Sequence, residues 1–184
     1  MTIRVATAND AETIAEIYAP IVRDTGISFE DVPPTTEEMA GRIHSTLQTH
    51  PWLVYEKNGD VIGYAYATSH RSRAAYRWSC ETSVYVGEAA RRTGAAKKLY
   101  LKLFETLTHL GYANALAGIT LPNIPSVGFH EHMGFEPIGI YKKVGFKNGE
   151  WRDVGWWNYP LQDMSDTPSD PLPFGENAHL LQPD

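Results

Sequence analysis

The 184-residue sequence contains a single cysteine, Cys80. One cysteine excludes a disulfide within the chain and is typical of a reducing compartment. The sequence also lacks any apolar run close to the roughly 20 residues that cross a bilayer. Its first residues, MTIRVAT, have the pattern of a strand and lack the charged start and apolar core of a secretion signal. We therefore expect a cytoplasmic protein without a membrane partner.

Basic residues are missing from the last part of the sequence. Five of the 22 acidic residues and none of the 16 basic residues lie in residues 162–184, so most of the net charge of −6 belongs to this segment. The nearly neutral body has no basic stripe, which argues against nucleic-acid binding. We expect one domain over residues 1–161, followed by an acidic, proline-containing tail over 162–184 that is flexible or loosely docked.

Apolar periodicity and turn residues predict the element order β-α-α-β-β-β-α-β-α-β-β. Two Asn-Gly pairs, at 58–59 and 148–149, predict hairpins, and Thr35 with Glu38 predicts a capping box. Strands run consecutively before a crossover helix, so we expect an α/β protein of the α+β type, whose mixed sheet of about seven strands is flanked by four helices. The predicted strands cover about 2–6, 52–56, 61–67, 78–86, 113–120, 137–144 and 154–161, and the helices about 8–23, 35–47, 94–110 and 126–133.

A strand, a loop and a helix follow one another between Ser83 and Leu110. The loop contains Arg91, Arg92 and Gly94, and the helix opens with small residues and lysines. A helix N-terminus has unpaired N–H groups and a positive partial charge, and small residues let it approach a phosphate. The pattern therefore favours a phosphate-containing ligand, with an ordinary solvated helix end as the alternative.

The element order and this loop resemble the GNAT acetyltransferase superfamily. Its pyrophosphate loop has the pattern Arg/Gln-x-x-Gly-x-Gly/Ala, which Arg91 or Arg92 fills together with Gly94 and Ala96. A second superfamily pattern, Asn-x-x-(Ala/Ser)-x-x-x-(Tyr/His)-Glu-x-x-Gly-Phe, corresponds to residues 123–135. Two such patterns at the expected separation make the resemblance strong.

Within the superfamily, the sequence is similar to the phosphinothricin and methionine sulfoximine N-acetyltransferases from about Ile14 to Trp157. Its markers are His50-Pro51-Trp52-Leu53-Val54, Arg71-x-Arg73-x-x-Tyr76-x-Trp78, Glu81-x-Ser83-Val84-Tyr85-Val86, Leu121-Pro122-Asn123-x-Pro125-Ser126-Val127 and Val144-Gly145-Phe146-Lys147-x-Gly149-x-Trp151-x-Asp153-Val154-Gly155.

The resemblance implies the GNAT fold and acetyl-CoA as acetyl donor, without a metal. The cofactor-binding residues that it implies are Val84, Tyr85, Val86, Arg91, Arg92, Thr93, Gly94, Ala95, Ala96, Lys97, Asn123 and Ser126. The sequence departs from the family at Ala95-Ala96, where a second glycine is usual. A methyl group there would narrow the approach of the backbone to a phosphate, unless φ is negative at that residue.

The resemblance also assigns the chemistry. Glu81 matches the family's proposed general base, which must take a proton from the amine, although a solvent-facing carboxylate is the alternative. His130 occupies the position from which the superfamily commonly protonates the departing thiolate, although a packing histidine is the alternative. A backbone N–H of Val84 or Tyr85, at a bulge of the strand, is expected to hold the oxyanion. Cys80 has no activating neighbour in sequence, so we do not expect it to carry the acyl group.

The segment from His70 to Arg77 carries three arginines and no acidic residue. Arginine side chains suit the carboxylate of an amino acid and the phosphinate of phosphinothricin. The predicted substrate-binding residues are Phe29, Arg71, Arg73, Tyr76 and Tyr85, with core packing as the alternative for the aromatic ones. We therefore expect acetyl transfer to the α-amine of a small anionic amino acid or toxic analogue, by direct attack in a ternary complex.

Other functions stay open at this stage. The acceptor could be a protein N-terminus or a polyamine, although a polyamine site should be lined with acidic residues. A domain that binds CoA without turnover, as a sensor, is a further alternative that the Ala95-Ala96 departure favours. Trp151, Trp156 and Trp157 are more aromatic surface than a small monomer easily buries, so we expect a homodimer.

Overall fold

The computed structural model describes residues 1–181 of the chain. Its strands are β1 Thr2–Val5, β2 Trp52–Lys57, β3 Asp60–Ser69, β4 Ser79–Val86, β5 Asn114–Leu121, β6 Glu136–Lys147 and β7 Glu150–Pro160. Its helices are α1 Ala11–Asp24, α2 Thr36–Leu47, α3 Ala95–His109, α4 Ile124–His132 and α5 Phe174–Asn177. The strands form one sheet in the order β1-β2-β3-β4-β5-β7-β6, and β4 and β5 are its parallel pair. The predicted element order and mixed sheet are confirmed, and the short α5 is an addition.

Local sequence signals form the turns and caps as predicted. Thr35 accepts a hydrogen bond from the Glu38 N–H, and the Glu38 carboxylate accepts one from the Thr35 N–H, which completes the capping box of α2. Both Asn-Gly pairs have left-handed φ, 53° at Asn148 and 79° at Gly149 in the second pair. β6 and β7 continue up to this turn, so they are longer than predicted.

Alternate residues of the central strands face two different helical layers. Leu53, Ala65 and Cys80 belong to the core that includes α3. Val54 and Tyr64 belong to the core that includes α1 and α2. Since strand side chains alternate, Cys80 faces α3 and the next residue, Glu81, faces the layer of α1 and α2.

The sheet opens between its two parallel strands. β4 and β5 pair only from Ser79–Asn114 to Glu81–Leu116. β4 continues to Val86 and pairs with β3 without a shift in register, so the bulge expected in β4 is absent from this pairing. The opening arises instead because β4 and β5 separate after Glu81.

The described part of the segment after residue 161 contacts the body. The Arg77 guanidinium pairs with the Asp170 carboxylate at 2.6 Å, and the Trp78 indole N–H donates to the Ser169 carbonyl at 2.8 Å. Phe174, the first residue of α5, is 1% exposed. Residues 182–184 lie outside the described residues, and the division of the chain at residue 161 stays a prediction.

The three C-terminal tryptophans lie in different surroundings. Trp151 is 61% exposed, Trp156 is half-buried, and Trp157 is 6% exposed within the core. The expectation of a shared aromatic surface is therefore wrong for Trp157, because alternation along β7 turns it toward the α3 layer. None of the helices in residues 1–181 combines the length and apolar character needed to cross a bilayer.

Candidate active site

The hydrogen bonds between β3 and β4 determine which backbone N–H groups of β4 face the opening. The Gly87 N–H donates to the Ile62 carbonyl of β3 at 2.9 Å. In an antiparallel pair alternate residues direct their backbone groups to the same side, so the N–H of Tyr85 also faces β3. The N–H groups of Val84 and Val86 then face the opening. Of the two oxyanion donors expected, this geometry favours Val84.

The loop between β4 and α3 has the geometry expected of an anion-binding cradle. It contains two left-handed residues, Arg92 with φ 61° and Gly94 with φ 84°, and Gly94 is the N-cap of α3. The Thr93 hydroxyl donates to the Ala90 carbonyl at 2.7 Å and stabilises the turn. Arg91, Arg92 and Lys97 are exposed around the first turn of α3. Unpaired helix amides with cations beside them fit the pyrophosphate of acetyl-CoA.

Ala95 does not obstruct this cradle. It lies in the first turn of α3, where helical φ is negative, and it is 2% exposed. Its methyl group packs into the core of the α3 layer, away from the exposed cations of the loop. The side chain of the neighbouring Ala96 is half-buried. Ala96, at the second glycine position of the family pattern, lies in the same helical turn, where φ is negative. The two alanines therefore give no conformational reason for weak cofactor binding.

Glu81 lies at the last paired residue of β4, where the sheet opens. Its carboxylate Oε1 is 2.9 Å from His70 Nδ1, and the exposed fractions of the two side chains are 34% and 15%. Tyr76 and Trp156 pack edge-to-face against the His70 ring, with centroids 5.8 Å and 5.6 Å away. The sequence singled out Glu81 and Tyr76 for the site but assigned no role there to His70 or to Trp156.

Trp156 adds a buried donor to this group. Its indole Nε1 is buried and finds no hydrogen-bond partner among the described residues. A buried, unpaired N–H costs about 1–3 kcal/mol, so this group favours an acceptor supplied by water or a ligand. The ring also packs 5.9 Å from that of Tyr141, which connects the group to β6.

His130 belongs to the other layer. It is 6% exposed, and its Nδ1 donates to the Ser126 carbonyl at 2.8 Å, which leaves Nε2 as an acceptor. Burial lowers the pKa of His130, so the ring is neutral at pH 7. The proton-donating role of His130 stays a prediction, and a neutral Nε2 would have to accept a proton before it supplies one to the thiolate.

Tyr100, which the sequence did not single out, faces this nitrogen. Its hydroxyl lies 3.1 Å from His130 Nε2 and 3.4 Å from the Thr82 carbonyl. The hydroxyl can donate to either acceptor, so it can switch to Thr82 when Nε2 becomes protonated. Burial raises the pKa of Tyr100, which keeps the hydroxyl protonated.

The three arginines of the 70–77 segment have different partners. Arg71 donates to the Tyr141 hydroxyl at 3.3 Å and so reaches β6. Arg71 and Arg73 line a cavity of about 360 Å³. Arg77 lines the same cavity, but its charge is paired with Asp170 from the C-terminal segment, a partner that the sequence pattern did not indicate.

The remaining predicted residues are placed as follows. The Phe29 ring packs directly on Gly145 of β6 and is 40% exposed. The Tyr85 ring packs against Tyr18 and Tyr64 in the layer of α1 and α2. The side-chain Oδ1 of Asn123 caps α4 by accepting from the N–H of Ser126 at 3.2 Å, which orients the turn that holds His130. Within the described residues, neither Phe29 nor Tyr85 forms a hydrogen bond or an aromatic ring pair with Glu81 or His70.

Comparisons with known proteins agree with this geometry. A model of the acetyltransferase (GNAT) domain matches residues 3–156. The chain belongs to the GNAT acetyltransferase family. It is 39% identical over 162 residues to a phosphinothricin N-acetyltransferase of Alcaligenes faecalis, across 87% of this chain and 82% of that protein. It is 34% identical over 164 residues to the L-methionine sulfoximine/L-methionine sulfone acetyltransferase of Salmonella typhimurium, across 89% and 96% of the two chains.

A solved structure has the same fold as this acetyltransferase. It is that of a GNAT superfamily phosphinothricin acetyltransferase from Sinorhizobium meliloti in complex with acetyl-CoA, with a TM-score of 0.85 and 37% identity over 91% of this chain and 92% of that one. The predicted family, fold and enzyme class are thereby confirmed. The roles of individual site residues stay predictions.

Proposed function

We propose that the enzyme transfers an acetyl group from acetyl-CoA to the α-amine of a small anionic amino acid or toxic analogue, such as phosphinothricin or methionine sulfoximine. The observation that carries the proposal is the position of Glu81. Its partly exposed carboxylate lies where β4 and β5 separate, between the backbone edge of β4 and the arginine-bearing segment. The amine and the thioester can therefore meet at this carboxylate in a ternary complex.

Acetyl-CoA binds along the opening of the sheet in this proposal. The backbone of Val84 and Val86 pairs with the pantetheine arm in place of a strand. The loop over residues 91–97 holds the pyrophosphate through the amides of α3 and its exposed arginine and lysine side chains. Asn123 and Ser126 contribute by building the first turn of α4.

Glu81 and His130 handle two successive protons. The ammonium gives its first proton to the Glu81 carboxylate, and the neutral nitrogen then forms the new C–N bond to the thioester carbonyl. The Val84 N–H stabilises the resulting oxyanion, and such a donor contributes about 3 kcal/mol. The second proton leaves the nitrogen for Nε2 of His130 and passes to the sulfur as the C–S bond breaks.

The acceptor site recognises an anion in this proposal. Arg71 and Arg73 are the arginines of their segment without an acidic partner in the described residues, and both can form paired hydrogen bonds to a carboxylate or phosphinate. Phe29, Tyr76 and Tyr85 supply apolar walls. A polyamine would meet arginine charges here, which disfavours it.

A substrate panel tests the proposal. Release of CoA thiol from acetyl-CoA is measured with L-phosphinothricin, L-methionine sulfoximine, spermidine and a short peptide with a free N-terminus. We expect the two amino acid analogues to be acetylated and Glu81→Gln to lower kcat by roughly 10²-fold or more. Faster turnover of spermidine or the peptide would reject the acceptor class, and acetyl-CoA binding in calorimetry without turnover of any amine would indicate a sensor.

We also propose that the enzyme is a cytoplasmic homodimer that associates through β6, an edge strand of the sheet. Five large apolar side chains of the β6–β7 hairpin are at least 50% exposed: Ile138, Ile140, Val144, Phe146 and Trp151. Such a patch favours association. Light scattering should give twice the chain mass for the native enzyme and the chain mass for Phe146→Glu, and a monomeric native enzyme would contradict the proposal.

A further inference from the structure

The Glu81 carboxylate is bound on one side only. His70 Nδ1 lies 2.9 Å from Oε1, and no second hydrogen bond to this carboxylate is formed within residues 1–181. Thr68 is opposite Glu81 in the β3–β4 register, and His70 follows two residues later on the same face. The two side chains are therefore diagonal neighbours, close enough to meet across the end of the strand pair.

The direction of this hydrogen bond follows from its acceptor. An ionised carboxylate can only accept, so His70 Nδ1 carries the hydrogen and donates it to Oε1. This donation fixes the rotation of the carboxylate and leaves Oε2 for the proton of the incoming amine. A carboxylate free to rotate would present this oxygen in the required direction for only part of the time.

The His70 ring is itself fixed by its neighbours. Tyr76 and Trp156 contact it at interplanar angles of 78° and 73°, one from the arginine-bearing segment and the other from β7. Edge-to-face contacts of this kind favour one orientation of the ring. His70 thus connects three elements: the strand that bears the base, the segment that bears the arginines and the strand that bears Trp156.

We propose that His70 is a positioning residue for acetyl transfer, which holds the Glu81 carboxylate through Nδ1 so that Oε2 receives the proton of the amine. This inference rests on the proposed function, because it takes Glu81 as the base. It also predicts which substitution preserves activity: the side-chain amide of asparagine can place an N–H donor close to the position of Nδ1, whereas leucine cannot.

The test compares His70→Leu, His70→Asn and the wild-type enzyme, with His44→Leu on the exposed face of α2 as the matched control. kcat and KM are measured for L-methionine sulfoximine and acetyl-CoA, and Tm is recorded for each variant. We expect His70→Leu to lower kcat by roughly 10- to 100-fold with each KM within about two-fold of wild type. His70→Asn should recover most of kcat, and His44→Leu should not change it.

Each other outcome has a definite meaning. An unchanged kcat in His70→Leu would overturn the inference while leaving the proposed function intact. Equal losses in His70→Leu and His70→Asn would also overturn it, because an N–H donor close to the position of Nδ1 would then not preserve activity. If wild type acetylates no amino acid analogue, the proposed function itself fails. A loss that follows Tm in both His70 variants would show a purely structural role and would reject positioning.

Discussion

Substitutions at the start of α3 test directly which of its residues affect binding of the acetyl-CoA pyrophosphate. Ala95→Gly places a second glycine directly after Gly94 and removes a methyl group that is buried in the core. Loss of one buried methyl costs about 0.8 kcal/mol, and the lower helix propensity of glycine adds up to about 1 kcal/mol. We expect the free energy of unfolding to fall by about 1–2 kcal/mol, which lowers Tm by roughly 2–8 °C.

The same substitution should leave cofactor binding unchanged, because the methyl group points into the core. We expect KM for acetyl-CoA to stay within about two-fold of wild type, a change of less than about 0.5 kcal/mol. Gly94→Ala is the contrasting variant. A Cβ there would meet no atom within 4 Å, but φ is +84°, and an alanine in this conformation is strained by about 1–2 kcal/mol.

Relief of this strain would shift the loop that is proposed to hold the pyrophosphate, so Gly94→Ala should raise KM for acetyl-CoA by about 10-fold. The assay is thiol release at varied acetyl-CoA with saturating amine, together with thermal unfolding of each variant. A lower KM in Ala95→Gly, combined with an unchanged KM in Gly94→Ala, would refute the reasoning. It would mean that the methyl group of Ala95 does face the phosphate.

Three further predictions address other parts of the site and fold. Arg71→Gln should raise KM for L-methionine sulfoximine by about 10-fold. Arg77→Gln should change this KM by less than about two-fold, because Arg77 is paired with Asp170 within the chain. Equal effects would contradict the proposal that Arg71, and not Arg77, binds the anion of the substrate. Tyr100→Phe leaves Nε2 of the buried His130 unpaired, so it should lower the free energy of unfolding by about 1–3 kcal/mol, measured by urea titration, and an unchanged value would contradict the hydrogen bond. Burial lowers the pKa of His50 to about 4, so below about pH 6.5 the unfolded chain takes up a proton that the folded chain does not. The free energy of unfolding should therefore fall by about 1–2 kcal/mol between pH 7 and pH 5 through this residue. In His50→Gln this fall should be smaller by about that amount, and an equal fall would exclude His50 as its source.

Features set by neighbouring residues were predictable from the sequence. The Asn-Gly turns, the capping box of Thr35 and the apolar stripe of α3 follow from local geometry, and each formed as expected. The ends of β6 were not predictable in this way. Its register shifts between Tyr141 and Gly145, and Lys143 has a φ of 49°, so the side-chain alternation that marks a strand is interrupted there.

Contacts between residues that are distant in sequence were not predictable from the sequence. The Arg77–Asp170 pair joins residues 93 positions apart, and the hydrogen bond between Tyr100 and His130 joins residues 30 apart. Neither has a periodic or local signal. His70 is a different case, because it lies only 11 positions from Glu81, but their contact depends on the β3–β4 register, which the loop between the strands does not specify.

The two groups proposed to handle protons lie on opposite faces of one sheet, and this arrangement bears on the mechanism. Glu81 faces the layer of α1 and α2, whereas His130 packs with Tyr100 in the layer of α3. Reactants bound between β4 and β5 would lie close to Glu81 on one face of the sheet and to His130 on the other. No covalent acetyl-enzyme intermediate is then needed to bring the acetyl group to the amine. Cys80, the single cysteine of the chain, precedes Glu81 and is fully buried in the α3 layer, and burial raises the pKa of its thiol. It is therefore unsuited as a nucleophile, and direct attack by the amine is the mechanism that this geometry favours.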